Sequence, residues 1–240
     1  MRHVASMVHY LESGERRVGL HVTDLVYGCP KYARLTVMSR HGGDYVRNMD
    51  EGVITKLTIG KLLDSLPVGD WHHVNVKLGP LLGQIDDIAY EDGKLIVIDK
   101  KTIADKPPEQ AHDHYVRQVQ LYMYILRHGE VESCEMGDVE RLRELLSNGT
   151  PMVGAILYVD VSTSTKTVVS KVVQVPFHPI AAAQVEQFLN WMLTEIESER
   201  PKARPSWFCQ YCPYMIKCWS EEVLPERGEE VEWRRAADLT

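Results

Sequence analysis

Two carboxylates and a lysine are the residues whose spacing best suits them to act together. They lie in the run GQIDDIAYEDGKLIVIDKKTI, which begins at Gly83. Two β-branched, apolar-rich stretches flank Asp92-Gly93, the dipeptide that most strongly signals a two-residue hairpin turn. With that turn, Glu91 faces Lys94, and the same register sets Asp86 opposite Asp99. Lys101 shares the face of Asp99, because side chains alternate along a strand. Like charges opposite one another weaken a strand pair. Such a pair has a raised carboxyl pKa or takes up a cation. A hard divalent ion, Mg²⁺ or Mn²⁺, suits a site of one or two carboxylates completed by phosphate and water, and the backbone carbonyl of Lys100 can join its shell. Lys101 adds a point charge for a scissile phosphate or for positioning an attacking water. The plainer alternative is an exposed hairpin whose acids and lysines are solvated. Asp87 and Lys100 turn to the opposite face by alternation.

The stretch after the hairpin repeats apolar residues at helical spacing over 112–126: Tyr115, Val119, Tyr122, Met123 and Leu126. Gln118 and Tyr122, four apart, lie on one face of that helix. Gly83-x-Ile85-Asp86, Asp99-x-Lys101-Thr102 and Gln118-x-x-x-Tyr122 together resemble the motifs of the RecB-like branch of the PD-(D/E)xK nucleases. The resemblance implies that Asp86 and Asp99 bind the catalytic metal and that Lys101 orients or activates water. It implies that Gln118 and Tyr122 support the site and contact DNA. That family often carries a further metal-binding histidine on an earlier helix. The comparable place here, near Thr55 and Lys56, has none, and His41, His72 and His73 fall outside the expected spacing.

Three of the five cysteines fall in WFCQYCPYMIKCW. Cys209-x-x-Cys212 brings two thiolates within reach of one metal, and Cys218 follows. Cys29, in a Cys-Pro dipeptide like that of Cys212-Pro213, is the best candidate for a fourth ligand. Alone it would read as a small buried hydrophobe. Four thiolates fit an iron–sulfur cluster of two or four irons, or a tetrahedral zinc. Cysteines near both ends of the chain resemble the iron-staple nucleases, in which a cluster ties the N-terminal region to the C-terminus. With the central motifs, the resemblance is to the CRISPR-associated RecB-like exonucleases, the fourth Cas family. It implies trimming of single-stranded DNA ends before CRISPR integration, alongside integrase proteins, with a homo-oligomer possible. Two other readings stand: a cluster-bearing DNA-holding module with a vestigial nuclease site, and a zinc-stapled protein that is no nuclease. Cys134 reads as a free thiol near a loop. Trp207, Phe208, Tyr211, Tyr214 and Trp219 shield the cluster or, alternatively, stack on single-stranded bases.

The elements that must position these residues are legible in outline. The chain has 240 residues, 44% of them hydrophobic and 25% charged, which describes a soluble globular protein with a sizeable core. A formal charge of −7 argues mildly against nucleic acid unless the basic residues gather locally. No stretch approaches the roughly 20 apolar residues that span a bilayer, no secretory signal opens the chain, and a cytoplasmic setting is expected. Cysteines there favour metal or redox chemistry over disulfides. A strand over 72–78 leads into the hairpin, giving a three-stranded meander. Thr23 is a candidate cap for a helix through Asp24 to Val26, and another helix is expected over 52–66. Pro107-Pro108 precedes the Gln-Tyr helix. A charged helix over 138–146, strands over 152–160 and 167–175, and a helix from Pro179 to about Glu199 follow. The tail 221–240 reads as a solvated helix or partly disordered. The fold class is α/β: a restriction-endonuclease-like core, a mixed sheet flanked by helices, and an iron–sulfur lobe joining the two ends. The expected regions are 1–70, helical with one cluster cysteine; 71–200, the nuclease core; and 201–240, the cysteine segment and tail.

Overall fold

The computed structural model describes residues 19–40, 60–103, 106–160 and 170–218, with Ser39 and Arg40 described by backbone alone. His41, Thr55 and Lys56, the 52–59 part of the expected helix, residues 167–169, Trp219 and the tail 221–240 lie outside them.

The hairpin forms as its sequence dictates. Strands β3 (Leu81–Glu91) and β4 (Lys94–Ile103) meet at Asp92-Gly93, with φ of 50° and 75°. Positive φ at both central positions is the mirror-image turn whose twist matches a hairpin, and Gly adopts it without steric cost. Glu91 pairs with Lys94, and the same register runs down to Asp87 with Ile98. There the ladder stops, one pair short of Asp86 and Asp99, so the expected direct pairing of these two is not a ladder pair. Below this point β3 accepts a different neighbour. The two-residue strand β1 (Leu20–His21) pairs with it in parallel at Leu81 and Leu82. β4 stays paired in parallel with β6 (Met152–Asp160) as far as Ile103. The two strands thus fork, and Asp86 lies in the fork.

Strand β2 (Trp71–Leu78) completes the expected meander on the other side of β3. Among the described residues the sheet has seven strands. Its order is β5 (Glu130–Ser133), β2, β3, β4, β6, β7 (Ser170–Val175), with β1 off this path. β4–β6 and β1–β3 are parallel and the other pairs antiparallel, so the sheet is mixed.

Helix α1 (Val22–Leu25) follows β1 and α2 (Pro30–Arg40) comes after it. Thr23 does not cap α1. His21 holds the N-cap position, and its backbone N–H donates to Asp24 Oδ2 at 2.8 Å. Helix α3 (Asp113–His128) is the Gln-Tyr helix, and α4 (Val139–Ser147) is the charged helix, capped by the Asp138 side chain. Helix α5 (Pro179–Glu197) starts on its proline. Helix α3 lies across β2, β4 and β6, and α5 covers α3 and reaches α2. Val119, Leu121, Met123 and Ile125 of α3 are fully buried, each stabilising the fold by roughly 1.5–3 kcal/mol. Glycines let α3 approach this closely. A Cβ on Gly83 would lie 2.9 Å from Val76 and 3.1 Å from the Tyr122 ring.

Asp87 and Lys100, which alternation turns away from the fork, have a structural task. Lys100 Nζ lies 2.8 Å from Asp87 Oδ2 and donates to the carbonyls of Asp64 and Leu66, each at 3.0 Å. Asp87 Oδ1 accepts from the Val68 N–H at 3.1 Å. This buried pair pins the segment that follows the helical turn at 60–64 onto the sheet. Among the described residues no helix is long and apolar enough to cross a membrane.

Candidate active site

The fork brings the expected acids and lysine together. Where the ladder ends, the Lys100 backbone N–H donates to Asp86 Oδ2 at 2.6 Å, so a side chain replaces the missing strand partner. Asp99, on β4, is buried, and Lys101 Nζ sits 2.9 Å from both of its carboxylate oxygens. Burial and the Asp99 charge push the Asp86 carboxyl up to about 7, against the pull of Lys101. Asp99 is likewise raised by burial, with Lys101 opposing. Burial alone would lower the Lys101 pKa, but the Asp99 and Asp86 charges outweigh it and keep the ammonium protonated. This is the pKa signature of a site with more carboxylate than its own cations neutralise.

Helix α3 supplies the wall. Gln118 Nε2 donates to the Tyr122 hydroxyl at 3.1 Å, one helical turn away, and both residues are buried. Burial, then the charges of Asp99 and Asp86, raise the Tyr122 pKa, so the phenol stays protonated beside the acids. The room left at Gly83 seats its ring.

Two partners escaped the sequence reading. Asp64, at the end of the helical turn, raises the pKa of both Asp86 and Asp99 by its charge. Tyr115, read only as an apolar position of the helix, presents its ring 5.0 Å from Lys101 Nζ. Tyr115 was visible as part of the helical stripe. No local pattern marks Asp64, whose approach depends on the Lys100 anchor.

Two of the histidines set aside by spacing, His72 and His73, lie next to this centre. His73 has a φ of 48°, uncommon for a residue with a side chain, and its ring stacks on His72 at 3.8 Å. His73 Nε2 lies 3.3 Å from Asp64 Oδ1, and its Nδ1 lies 2.9 Å from Glu135 Oε2. The hydrogen bond that His73 donates to the Asp64 carboxylate pushes His73 up to about 9 despite its burial, with Glu135 adding to the shift. Asp64, which burial would raise, is held below its ordinary value by His73. His72 Nδ1 lies 3.0 Å from Asp87 Oδ1. Among the described residues, His72, His73 and Glu135 form the group whose ligand atoms all lie within 4.8 Å of one another, a set that could hold a metal ion.

At the edge of the fold Cys29, Cys209, Cys212 and Cys218 line one cavity of about 160 Å³. The Arg204 backbone N–H reaches Cys29 Sγ at 3.5 Å, linking parts of the chain far apart in sequence. Burial raises the Cys212 thiol, and Cys29, Cys209 and Cys218 add to that shift. The four thiols do not form a group as compact as the histidine set. Tyr27 stacks on Phe208 at 3.6 Å, and Tyr32 meets the same ring edge-on at 5.1 Å. Cys134 lies elsewhere, its thiol donating to the Gly137 carbonyl at 3.3 Å.

No curated protein matches the chain. Among solved structures, one described as "Crystal structure of SSO0001" aligns over 90% of this chain and 93% of that chain, at 18% identity and a TM-score of 0.44. The model of the PD-(D/E)XK nuclease superfamily matches residues 34–219, which take in the forked hairpin, helix α3 and the three C-terminal cysteines. The chain belongs to the PD-(D/E)XK nuclease superfamily, whose members use divalent metals.

Proposed function

We propose that this nuclease-superfamily chain is a Mg²⁺- or Mn²⁺-dependent deoxyribonuclease that digests single-stranded DNA from its ends. The observation that carries the reading is the fork. Asp86 and Asp99 meet where strand pairing fails, and Lys101 is held against Asp99. Two acids whose pKa values are raised by burial first and then by neighbouring carboxylates, Asp99 and Asp64 for Asp86 and Asp64 for Asp99, suit a divalent cation. Asp86 and Asp99 would hold the ion, with the Lys100 carbonyl contributing to its shell. When bound, the ion supplies a water acidified toward neutral pH and a counter-charge for phosphate. Lys101 stabilises the charge that grows on the phosphate as water oxygen attacks phosphorus and the sugar oxygen departs. Tyr122, steadied by Gln118, keeps a protonated phenol available as a hydrogen-bond donor at the wall of the site. Titrating Mn²⁺ by electron paramagnetic resonance tests this. Wild type should bind the ion and Asp99→Asn should lose it; equal binding by both proteins refutes the assignment.

On the same reading Cys29, Cys209, Cys212 and Cys218 hold an iron–sulfur cluster of two or four irons. Its support is the cavity that all four thiols line, with Cys29 brought from far away in sequence to the Cys-x-x-Cys run. When bound, the cluster supplies a covalent tie between the start of α2 and residues 209–218, consistent with a 201–240 segment closing onto an N-terminal region. The likeness of the motifs to the CRISPR-associated RecB-like exonucleases supports a role in trimming DNA for spacer acquisition. That role is cytoplasmic, and integrase proteins or further copies of the chain are its partners.

A further inference from the structure

The chain is acidic overall, yet one recess beside the fork gathers positive charge. It opens between the first turns of α3 and residues 204–207, with a volume of about 280 Å³. Arg117, Arg204, His114 and Trp207 line it, and Asp113 is the acid among its lining residues. Each guanidinium is fixed by an aromatic neighbour: Arg117 lies 5.0 Å from the Phe188 ring and Arg204 lies 5.4 Å from the Trp191 ring. Arg117 also donates to the Val26 carbonyl. Burial lowers the Arg117 pKa, the Asp113 charge opposes that shift, and a smaller repulsion from Arg204 adds to it. An ordinary surface pairs such groups with carboxylates. Here one carboxylate, Asp113, serves two guanidinium groups at an open pocket, and an anion relieves the charge left over.

The recess also offers flat aromatic surface. Trp207 is 58% exposed. His114 is pushed down to about 4 by burial, then by His112, Lys101 and Arg117, so its imidazole is neutral near physiological pH. A succession of rings leads from here to the catalytic lysine. Trp207 lies 5.2 Å from His114, His114 lies 4.0 Å from Tyr115, and Lys101 Nζ sits 5.0 Å from the Tyr115 ring. A strand passing the fork would therefore run over this surface.

We propose that the recess is a substrate-strand subsite, in which Arg117 and Arg204 grip one phosphate of single-stranded DNA and Trp207 stacks on an adjoining base. The inference rests on the nuclease reading and deepens it. It also explains how a chain of net charge −7 holds a polyanion: the cations are few, but they are concentrated beside the site. Stacking needs an unpaired base, which selects single strands over duplex without selecting a sequence.

The test measures binding without cleavage, by polarisation of fluorescein-labelled oligo(dT) with full-length protein in EDTA. Trp207→Ala and Arg204→Gln should each weaken binding by roughly tenfold, in the range found for lost base stacking. Arg204→Gln should also flatten the dependence of log K on log salt by about 0.7, the contribution of one phosphate contact on a single strand. Trp207→Phe keeps a stacking plane and should restore most of the affinity, which a merely unfolded variant would not do. Unchanged affinity in both Trp207→Ala and Arg204→Gln, or equal weakening by Trp207→Phe and Trp207→Ala, would overturn the subsite. Because no metal or chemistry enters this assay, its result stands apart from that of the nuclease reading, which is decided by cleavage in Mn²⁺.

Discussion

Asp86 and Asp99 compete to carry charge in one small space, and that competition has a measurable cost. Asp86 is pushed up to about 7 from an ordinary 3.8 by burial and by Asp99. A carboxyl whose pKa is higher in the folded chain than in the unfolded one binds its proton more tightly when folded. Its contribution is complete below the unfolded value and is lost as pH rises through the folded value. Metal-free protein therefore carries an Asp86 penalty in mild alkali that the uncharged, isosteric Asp86→Asn escapes. In EDTA at about pH 8, Asp86→Asn should melt higher than wild type by about 3 °C or more, and the gap should narrow at about pH 5 and close only below the unfolded value of 3.8. The same offset at both pH values would mean that the Asp86 charge is not what is felt. At this scale the sequence was informative because strand alternation and an Asp-Gly turn are local rules. They bring Asp86, Asp99 and Lys101 together before any tertiary contact is known. Asp64 and His73 obey no such rule. Their meeting depends on Lys100 reaching back to the carbonyls of Asp64 and Leu66 and on a left-handed kink at His73.

The forked hairpin and helix α3 work as one device. β3 exchanges its β4 partner for β1, and Asp86 lies in the opening. Helix α3 crosses above with Tyr122 seated over Gly83. An added methyl at Gly83 has nowhere to go, since Val76 lies at 2.9 Å and the Tyr122 ring at 3.1 Å. Gly83→Ala should cost about 1–3 kcal/mol of stability by overpacking. Because it displaces Tyr122, it should also lower cleavage more than a distant substitution of equal destabilising effect. Paired denaturation and rate measurements check this; a normal cleavage rate in a destabilised Gly83→Ala would separate Tyr122 from the site. Long periodic elements such as α3, β3, β4 and β6 were legible because periodicity accumulates over many residues. β1 and β5, at two and four residues, are too short to show a period. They form because their neighbours offer an unpaired edge. The end of the ladder at Asp87 was illegible for the same reason, since it depends on which strand approaches β3 from elsewhere in the chain.

Across the whole molecule the two ends of the described chain are joined at the cysteine cavity. Arg34 donates to the Ile196 carbonyl at 2.6 Å, and aromatic rings from residues 27–32 interleave with Phe208 and Tyr214. The Cys-x-x-Cys run and the lone Cys29 marked these two stretches as candidate metal ligands, and in the fold they line one cavity. The positive recess beside it could not be read from composition, since Arg117 and Arg204 are far apart in sequence. If a cluster ties the ends, Cys29→Ser purified without oxygen should contain less iron and inorganic sulfide than wild type and should melt several degrees lower. Equal iron content and equal melting would remove Cys29 from the tie.

The most direct test of the central claim is cleavage of end-labelled single-stranded DNA by wild type and Lys101→Ala, in Mn²⁺ and in EDTA. The fork predicts progressive cutting by wild type only when metal is present. Loss of the Lys101 charge should slow that cutting by about a hundredfold or more while oligonucleotide binding in EDTA persists. Cutting that continues in EDTA, or that proceeds equally in both proteins, would contradict the assignment of the forked hairpin as the catalytic centre.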